Sequence, residues 1–227
     1  PPSYEFHIFD AHTHQLVYAE TIDFSPVWFD KKSPLLYGAA EGPSIRVFNY
    51  IRMKWEKTIY LHYPDGEKIG TGTFVLSPDS KKVYFLTGYT QTLLGVFDIE
   101  KDSLIAIFPI HAGGNMAMRP DGKYVYVTDP GEGGGCISIG LPPTGEIVLF
   151  DTETNTLLPN ISTEALWDTV YHEPLPTIWM VITPDGKKGC VSTCRDRIVV
   201  LDLIRNEAIN AIIWPSPRNL RLHYIAI

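Results

Sequence analysis

Short apolar runs recur along the chain, and the same punctuation brackets them each time. Arg119-Pro120-Asp121-Gly122-Lys123 opens onto Tyr124-Val125-Tyr126-Val127-Thr128. Ser77-Pro78-Asp79-Ser80-Lys81 opens onto Lys82-Val83-Tyr84-Phe85, and Thr183-Pro184-Asp185-Gly186-Lys187 onto Lys188-Gly189-Cys190-Val191. A degenerate copy is Phe29-Asp30-Lys31-Lys32-Ser33-Pro34-Leu35-Leu36-Tyr37. Proline presets φ, aspartate bonds nearby backbone and glycine accepts positive φ, so each opening predicts a tight turn. The β-branched and aromatic run behind it predicts a strand.

A second signature follows each turn. Val148-Leu149-Phe150-Asp151 leads into Thr152-Glu153-Thr154-Asn155, and Val96-Phe97-Asp98 and Val199-Val200-Leu201-Asp202 repeat the theme. Ile8-Phe9-Asp10 carries it near the start of the chain, and Val47-Phe48-Asn49 is a weaker copy. An apolar run ends in Asp or Asn, a polar turn intervenes, and a strand resumes. Two hairpins per unit, repeated, predict four-stranded antiparallel blades and an all-β propeller. With strands named A to D in chain order, blades are expected at about 24–62, 72–111, 114–163 and 177–214. Partial blades are expected at 4–22 and 219–227. The whole of 1–227 therefore reads as one propeller domain or part of one, with about four to five blades. The ring is expected to be incomplete, or completed by another segment or chain, because open strand edges invite pairing.

The Pro-Asp-Gly turns followed by Tyr-Val and Val-x-Asp-x-x-Thr runs resemble the YVTN-type propeller repeat family. Pro120-Asp121-Gly122 with Tyr124-Val125-Tyr126-Val127-Thr128 carries the nearest match. The resemblance spans nearly the whole chain. It implies a propeller and an extracytoplasmic setting: periplasmic, secreted or at the cell surface. It implies no particular activity, because such folds host many.

Spacing shows where the units differ. The turn proline precedes the later aspartate by 20 residues for Pro78 to Asp98, 18 for Pro184 to Asp202, and 31 for Pro120 to Asp151. From Asp98 to Pro120 is 22 residues, and from Asp151 to Pro184 is 33. Insertions therefore lie at about 129–144, between strands B and C, and at about 162–175, between D and the next A. A shorter one lies at 62–72. Strand direction alternates, so B–C and D–A connections share one end, and A–B and C–D turns share the other. Long loops on a rigid scaffold are where binding residues concentrate. The candidate ligand or partner residues are thus Asp129, Glu132, Trp167, Tyr171, Glu173, Arg195 and Asp196.

His62 follows Asn49 by 13 residues, His111 follows Asp98 by 13, and His172 lies in the next D–A connection. Three histidines converging from successive blades are a candidate site for copper, iron or zinc. The arrangement alone resembles the histidine-bound cluster of nitrous oxide reductase propellers. The bland alternative is that these side chains cap backbone groups or face water. Asp10-Ala11-His12-Thr13-His14 imitates a metal-binding H-x-H, but it aligns with the Asp151 turn and reads as a plain C–D turn. Gly131-Glu132-Gly133-Gly134-Gly135 lacks the Lys-Ser/Thr ending of a phosphate loop. Cys190 and Cys194 have C-x3-C spacing without a second pair, so buried or loop thiols outweigh a zinc site. Cys136 and Cys194 fall in equivalent loops of neighbouring blades, which makes an inter-blade disulfide an open alternative.

Composition narrows the function classes. With 44% hydrophobic and 12% aromatic residues, the chain has ample material for a core. The formal net charge is -7 and no basic run exists, which disfavours nucleic acid as a partner. No apolar run is long enough for a transmembrane helix. The first functional expectation is a binding or scaffold module presenting its long-loop end to a protein or small molecule. The second is a domain of a metal- or haem-dependent redox enzyme built on His62, His111 and His172. The third is a lactonase- or lyase-like enzyme, for which no motif is present.

Overall fold

The computed structural model describes residues 4–22, 24–30, 33–40, 44–70, 73–87, 92–131, 144–166, 176–193 and 197–213. The fold is all-β. Four four-stranded antiparallel sheets have the order A-B-C-D, and one further sheet has two strands. The two-stranded sheet is β1 (Tyr4–Phe9) with β2 (Leu16–Ile22). The first full blade contains β3 (Phe24–Phe29), β4 (Leu35–Ala40), β5 (Ser44–Asn49) and β6 (Lys54–Tyr60). The second contains β7 (Thr73–Leu76), β8 (Lys82–Thr87), β9 (Leu93–Asp98) and β10 (Ser103–Pro109). The third is β11 (Met116–Met118), β12 (Tyr124–Thr128), β13 (Glu146–Asp151) and β14 (Thr156–Ser162). The fourth is β15 (Thr177–Ile182), β16 (Lys188–Thr193), β17 (Arg197–Asp202) and β18 (Glu207–Ile213). The expected strand at 219–227 lies outside the described residues. Among the described residues the only helical element is a single 3-10 turn at Glu164–Leu166. No described helix is long and apolar enough to cross a membrane.

The C–D turns repeat in atomic detail. In each of five turns the side-chain oxygen closing strand C accepts the backbone N–H groups two and three residues on. Asp10 takes His12 and Thr13 at 2.9 and 2.7 Å, and Asn49 takes Ile51 and Arg52 at 3.2 and 2.9 Å. Asp98 takes Glu100 and Lys101 at 3.0 and 2.9 Å, and Asp151 takes Glu153 and Thr154 at 2.8 and 2.9 Å. Asp202 takes Ile204 and Arg205 at 2.9 and 3.1 Å. The residue four positions after the cap is left-handed every time: His14, Met53, Asp102, Asn155 and Asn206 have φ of 56, 51, 49, 52 and 55°. Two amides fixed by one side chain force the chain through that conformation, which Asn and Asp tolerate better than Met or His. The same hydrogen bonds hold the four carboxyls below their ordinary value, the amide at the third position contributing most.

The A–B turns obey a parallel rule. Ser80, Gly122 and Gly186 have φ of 58, 77 and 69°, and each N–H bonds the carbonyl three residues earlier. Asp79, Asp121 and Asp185 cap the next lysine amide at 3.2, 3.0 and 3.0 Å. One hydrogen bond then joins the two turn types within each full blade. The amide just after the cap reaches the carbonyl at the start of strand B: Tyr50 to Pro34, Ile99 to Lys81, Thr152 to Lys123 and Leu203 to Lys187. Both turn types therefore share one end of each blade.

By contacts the chain divides into two compact units, Pro1–Gly88 with Leu94–Ile107, and Tyr89–Leu93 with Phe108–Ile227. The first has a core of Tyr37, Ile45, Val47, Leu61, Phe74, Phe85 and Phe97 among others. Its β1–β2 hairpin is held by Phe6 and Tyr18 against Phe48, with ring centroids 5.6 and 5.1 Å away. The second packs Tyr126, Ile147, Leu149, Met180, Val191, Val199 and Leu201. Strands B and C supply much of the buried core, as at 83–86, 125–127 and 147–150. Strand D is half exposed. Four D strands also carry one residue more than the C strand they pair with, at the shifts beside Phe9, Phe48, Leu149 and Leu201. Such bulges twist an edge strand and blunt its tendency to add further strands.

Gly95 on β9 shows how closely the core is fitted. A Cβ there would sit 2.1 Å from Cζ of Phe85, because the ring on β8 lies across the glycine backbone. Gly95→Ala is expected to destabilise the fold by about 1–3 kcal/mol through overpacking. A denaturant titration showing an unchanged midpoint would contradict that packing.

Candidate functional site

In the second unit both long connections rise from one buried polar floor. Thr128 and Thr177 are 0% exposed and Asp129 is 4% exposed, at the end of the blades opposite the short turns. The Thr128 hydroxyl donates to the Ile178 carbonyl at 2.8 Å and accepts the Asn115 N–H at 2.8 Å. Asn115 in turn accepts the Met180 N–H through its side-chain oxygen at 3.3 Å. Thr177 accepts the Asp129 N–H on its hydroxyl at 2.7 Å, and its own N–H donates to the Asp129 carbonyl at 3.0 Å. The third and fourth blades are thereby stitched at their A and B strands. Gly114 is obligatory beside this floor, since a Cβ would meet the Thr128 hydroxyl at 2.4 Å and its carbonyl at 2.8 Å.

Asp129 fastens the B–C connection at both ends. One carboxylate oxygen accepts the Gly131 N–H at 3.0 Å. The other accepts the Thr144 N–H and hydroxyl, both at 2.7 Å. The D–A connection is tied nearby: the Thr163 hydroxyl and N–H both donate to the Gly145 carbonyl, at 2.5 and 3.1 Å. Arg197, which begins β17, donates to the Leu166 carbonyl at 3.4 Å. The two long connections thus leave the scaffold side by side from fixed points, within one unit.

The sequence expectation for Asp129 needs correcting. It reads as an acidic group offered to a ligand, but it is buried and its oxygens are taken up by its own loop. Its role is to set the loop base. Glu132, Trp167, Tyr171, Glu173, Arg195 and Asp196 lie outside the described residues, as do His172, Cys136 and Cys194. Thr128, Thr144, Thr163, Thr177 and Asn115 were not singled out by sequence. Their only local signal is a hydroxyl or amide at a strand end where an apolar residue would otherwise be expected.

His62 and His111 belong to different units. His62 faces the second blade of its own unit. Its ring packs edge-on to Phe97 at 5.5 Å, Nε2 lies 3.7 Å from the Asp102 carboxylate, and Nδ1 lies 3.0 Å from the Tyr63 carbonyl. Asp102 belongs to a C–D turn, so His62 reaches the short-turn end of β9–β10. The cause is that the segment from Leu61 to Ile69 folds as a hairpin. Ile69 donates its N–H to Leu61 at 2.9 Å, Tyr63 donates to Glu67 at 2.8 Å, and Leu61 and Ile69 are buried in the core. His111 stands exposed between buried Ile110 and Ala112. Among the described residues, no three His, Cys, Asp or Glu side chains are grouped as a metal centre requires. His12 and His14 are in an exposed C–D turn. Cys190 is half-buried on β16, and burial pushes its thiol pKa up, away from the thiolate that binds metal.

Asp129→Ala would leave two amides and a hydroxyl without their charged acceptor. The expected cost is about 2 kcal/mol, within the range for hydrogen bonds to a charged group. Limited proteolysis should cut the variant between 130 and 144 faster than the parent, while Glu146→Ala should not change the rate.

No protein-family model matches the chain, and no curated protein matches it in sequence. Among solved structures, the chain is similar to that of Kuenenia stuttgartiensis hydrazine synthase. The TM-score is 0.68 at 16% identity, and the match covers 92% of this chain and 68% of that one. At that identity the likeness speaks for the fold: successive antiparallel blades of the β-propeller type.

Proposed function

We propose that this chain is a binding or scaffold module that engages a protein or small-molecule ligand through its long-loop end. One observation carries the reading. The connections at 129–145 and 163–177 both start from the buried Thr128–Asp129–Thr177 floor, whereas the opposite end is built from short capped turns. A floor that satisfies its own polar groups fixes the points from which both connections leave the scaffold. The net charge of -7 favours a partner that is not itself strongly acidic.

A second reading is a domain of a metal- or haem-dependent redox enzyme. The structural likeness to a hydrazine synthase supports it at the level of fold, and His111, exposed at a strand D exit, is the described residue it would use. Should imidazoles there bind a metal, the neutral ring nitrogen is the ligand.

Two measurements separate these readings. Replacing 130–143 with a two-residue turn should leave the melting temperature nearly unchanged and abolish capture of the partner that the parent retains. Capture undiminished by the replacement would refute the binding reading for this end. Metal analysis with an absorption spectrum tests the second reading. A stoichiometric metal or haem band that disappears in a His111→Ala, His172→Ala double variant would favour it over the first.

A further inference from the structure

The sheet of β1 and β2 is the C–D half of a blade. Asp10 caps the turn as Asp98, Asp151 and Asp202 do, and His14 takes the left-handed position four residues on. Ile8 pairs with Tyr18 but Phe9 with Leu16, so β2 carries the extra residue seen in other D strands. The cap amide pairs within the hairpin, Asp10 N–H to the Gln15 carbonyl at 2.9 Å. In antiparallel strands successive residues point their backbone groups to opposite sides. In the complete blades the residue after the cap donates toward strand B. By the same phase, Ala11, Phe9, His7 and Glu5 point their backbone groups away from β2. Among the described residues β1 pairs with β2 alone. Its side chains are already organised: Phe6 packs on Phe48 of the adjacent blade, with Trp55 4.9 Å from the same ring.

We propose that the inner edge of β1 is a strand-docking site whose occupant is an A–B half-blade: a strand, a Pro-Asp-Gly-type turn and a second strand. Four blades of this chain show what covers strand C. It is always strand B, antiparallel, with its first carbonyl receiving the amide after the cap. A lone strand would satisfy the edge but leave its own far edge open, so the two-strand segment is the better occupant. The face it presents beside Phe6 and Ile8 must be apolar, as Tyr126 and Phe85 are in the existing B strands. The other face of β1, with exposed Glu5, His7 and Phe9, sets no such demand. This site belongs to the first unit, so it stands or falls independently of the long-loop end.

Residue-resolved hydrogen exchange by NMR tests it. In the full chain, the amides of Glu5, His7, Phe9 and Ala11 should exchange roughly tenfold or more faster than those of Phe6, Ile8 and Asp10. The probe is the chain's own A–B segment, residues 115–128, fused upstream of residue 1 through a flexible Gly-Ser linker that raises its effective concentration. The fusion should slow the four fast amides roughly tenfold or more and raise the melting temperature. His7→Pro removes a donor on this edge without touching the β2 pairing. In that variant the fusion should lose its effect on both readouts. Equal protection of all seven amides in the unfused chain would overturn the proposal, because the edge would already be covered. Four amides that stay fast in the fusion would overturn it as well, and neither result depends on the variant folding.

Discussion

One oxygen accepting two consecutive backbone N–H groups is the interaction on which this structure depends. It is the side-chain oxygen of Asp10, Asn49, Asp98, Asp151 and Asp202, and it closes strand C in every described blade and half-blade. Capping fixes the turn length at four residues and forces the last into the left-handed region. That in turn fixes where strand D starts and which residues face the core, since a one-residue slip would reverse every side chain. The capped turn also presents the next amide to strand B, tying both hairpins of a full blade at one end. Asn49 performs the same task uncharged, so geometry matters more than charge for building the turn. The charge matters for its pH response.

The consequence for function is a division of labour between the two ends of the blades. The short-turn end is occupied by its own hydrogen bonds. In the second unit the other end is held by hydroxyls of Thr128, Thr163 and Thr177 and by the Asp129 carboxylate, all buried and all satisfied. Burying polar groups is tolerable only when each finds a partner. Here the partners are loop bases and strand starts, so satisfying the polar groups and positioning the loops are one event. This is why loops of differing length can be carried without disturbing the sheets.

Much of the fold was legible in sequence because its determinants are local. A Pro-Asp-Gly turn lies within four residues and a C–D cap within five, so reading along the chain finds them. The loop end was not legible, for the opposite reason. Asp129 is buried by Thr144 and Thr177, 15 and 48 residues away, and nothing near it foretells that. His62 follows strand D as the count from Asn49 expects, but that spacing says nothing of what its ring meets. Yet Tyr63-Pro64-Asp65-Gly66 repeats the A–B turn signature, with Gly66 at φ 87° and Asp65 capping Glu67 at 3.0 Å. With Leu61 and Ile69 flanking it, that pattern predicts the hairpin that carries His62 to Asp102. The signal is present in the chain, within the shorter insertion at 62–72.

The most direct measurement of this account is a carboxyl carbon NMR titration of the four capping aspartates. Each cap is stronger to the ionised carboxylate than to the neutral acid, so all four should titrate below the ordinary value of 3.8. A depressed native pKa means stability that is present above the unfolded value and is lost as pH falls through the native one. Acid unfolding should therefore coincide with protonation of these groups, and replacing Asp98 with Asn, as position 49 already has, should reduce that coupling. Four pKa values at or above 3.8, with the protein folded, would contradict the claim that capped turns set the blades.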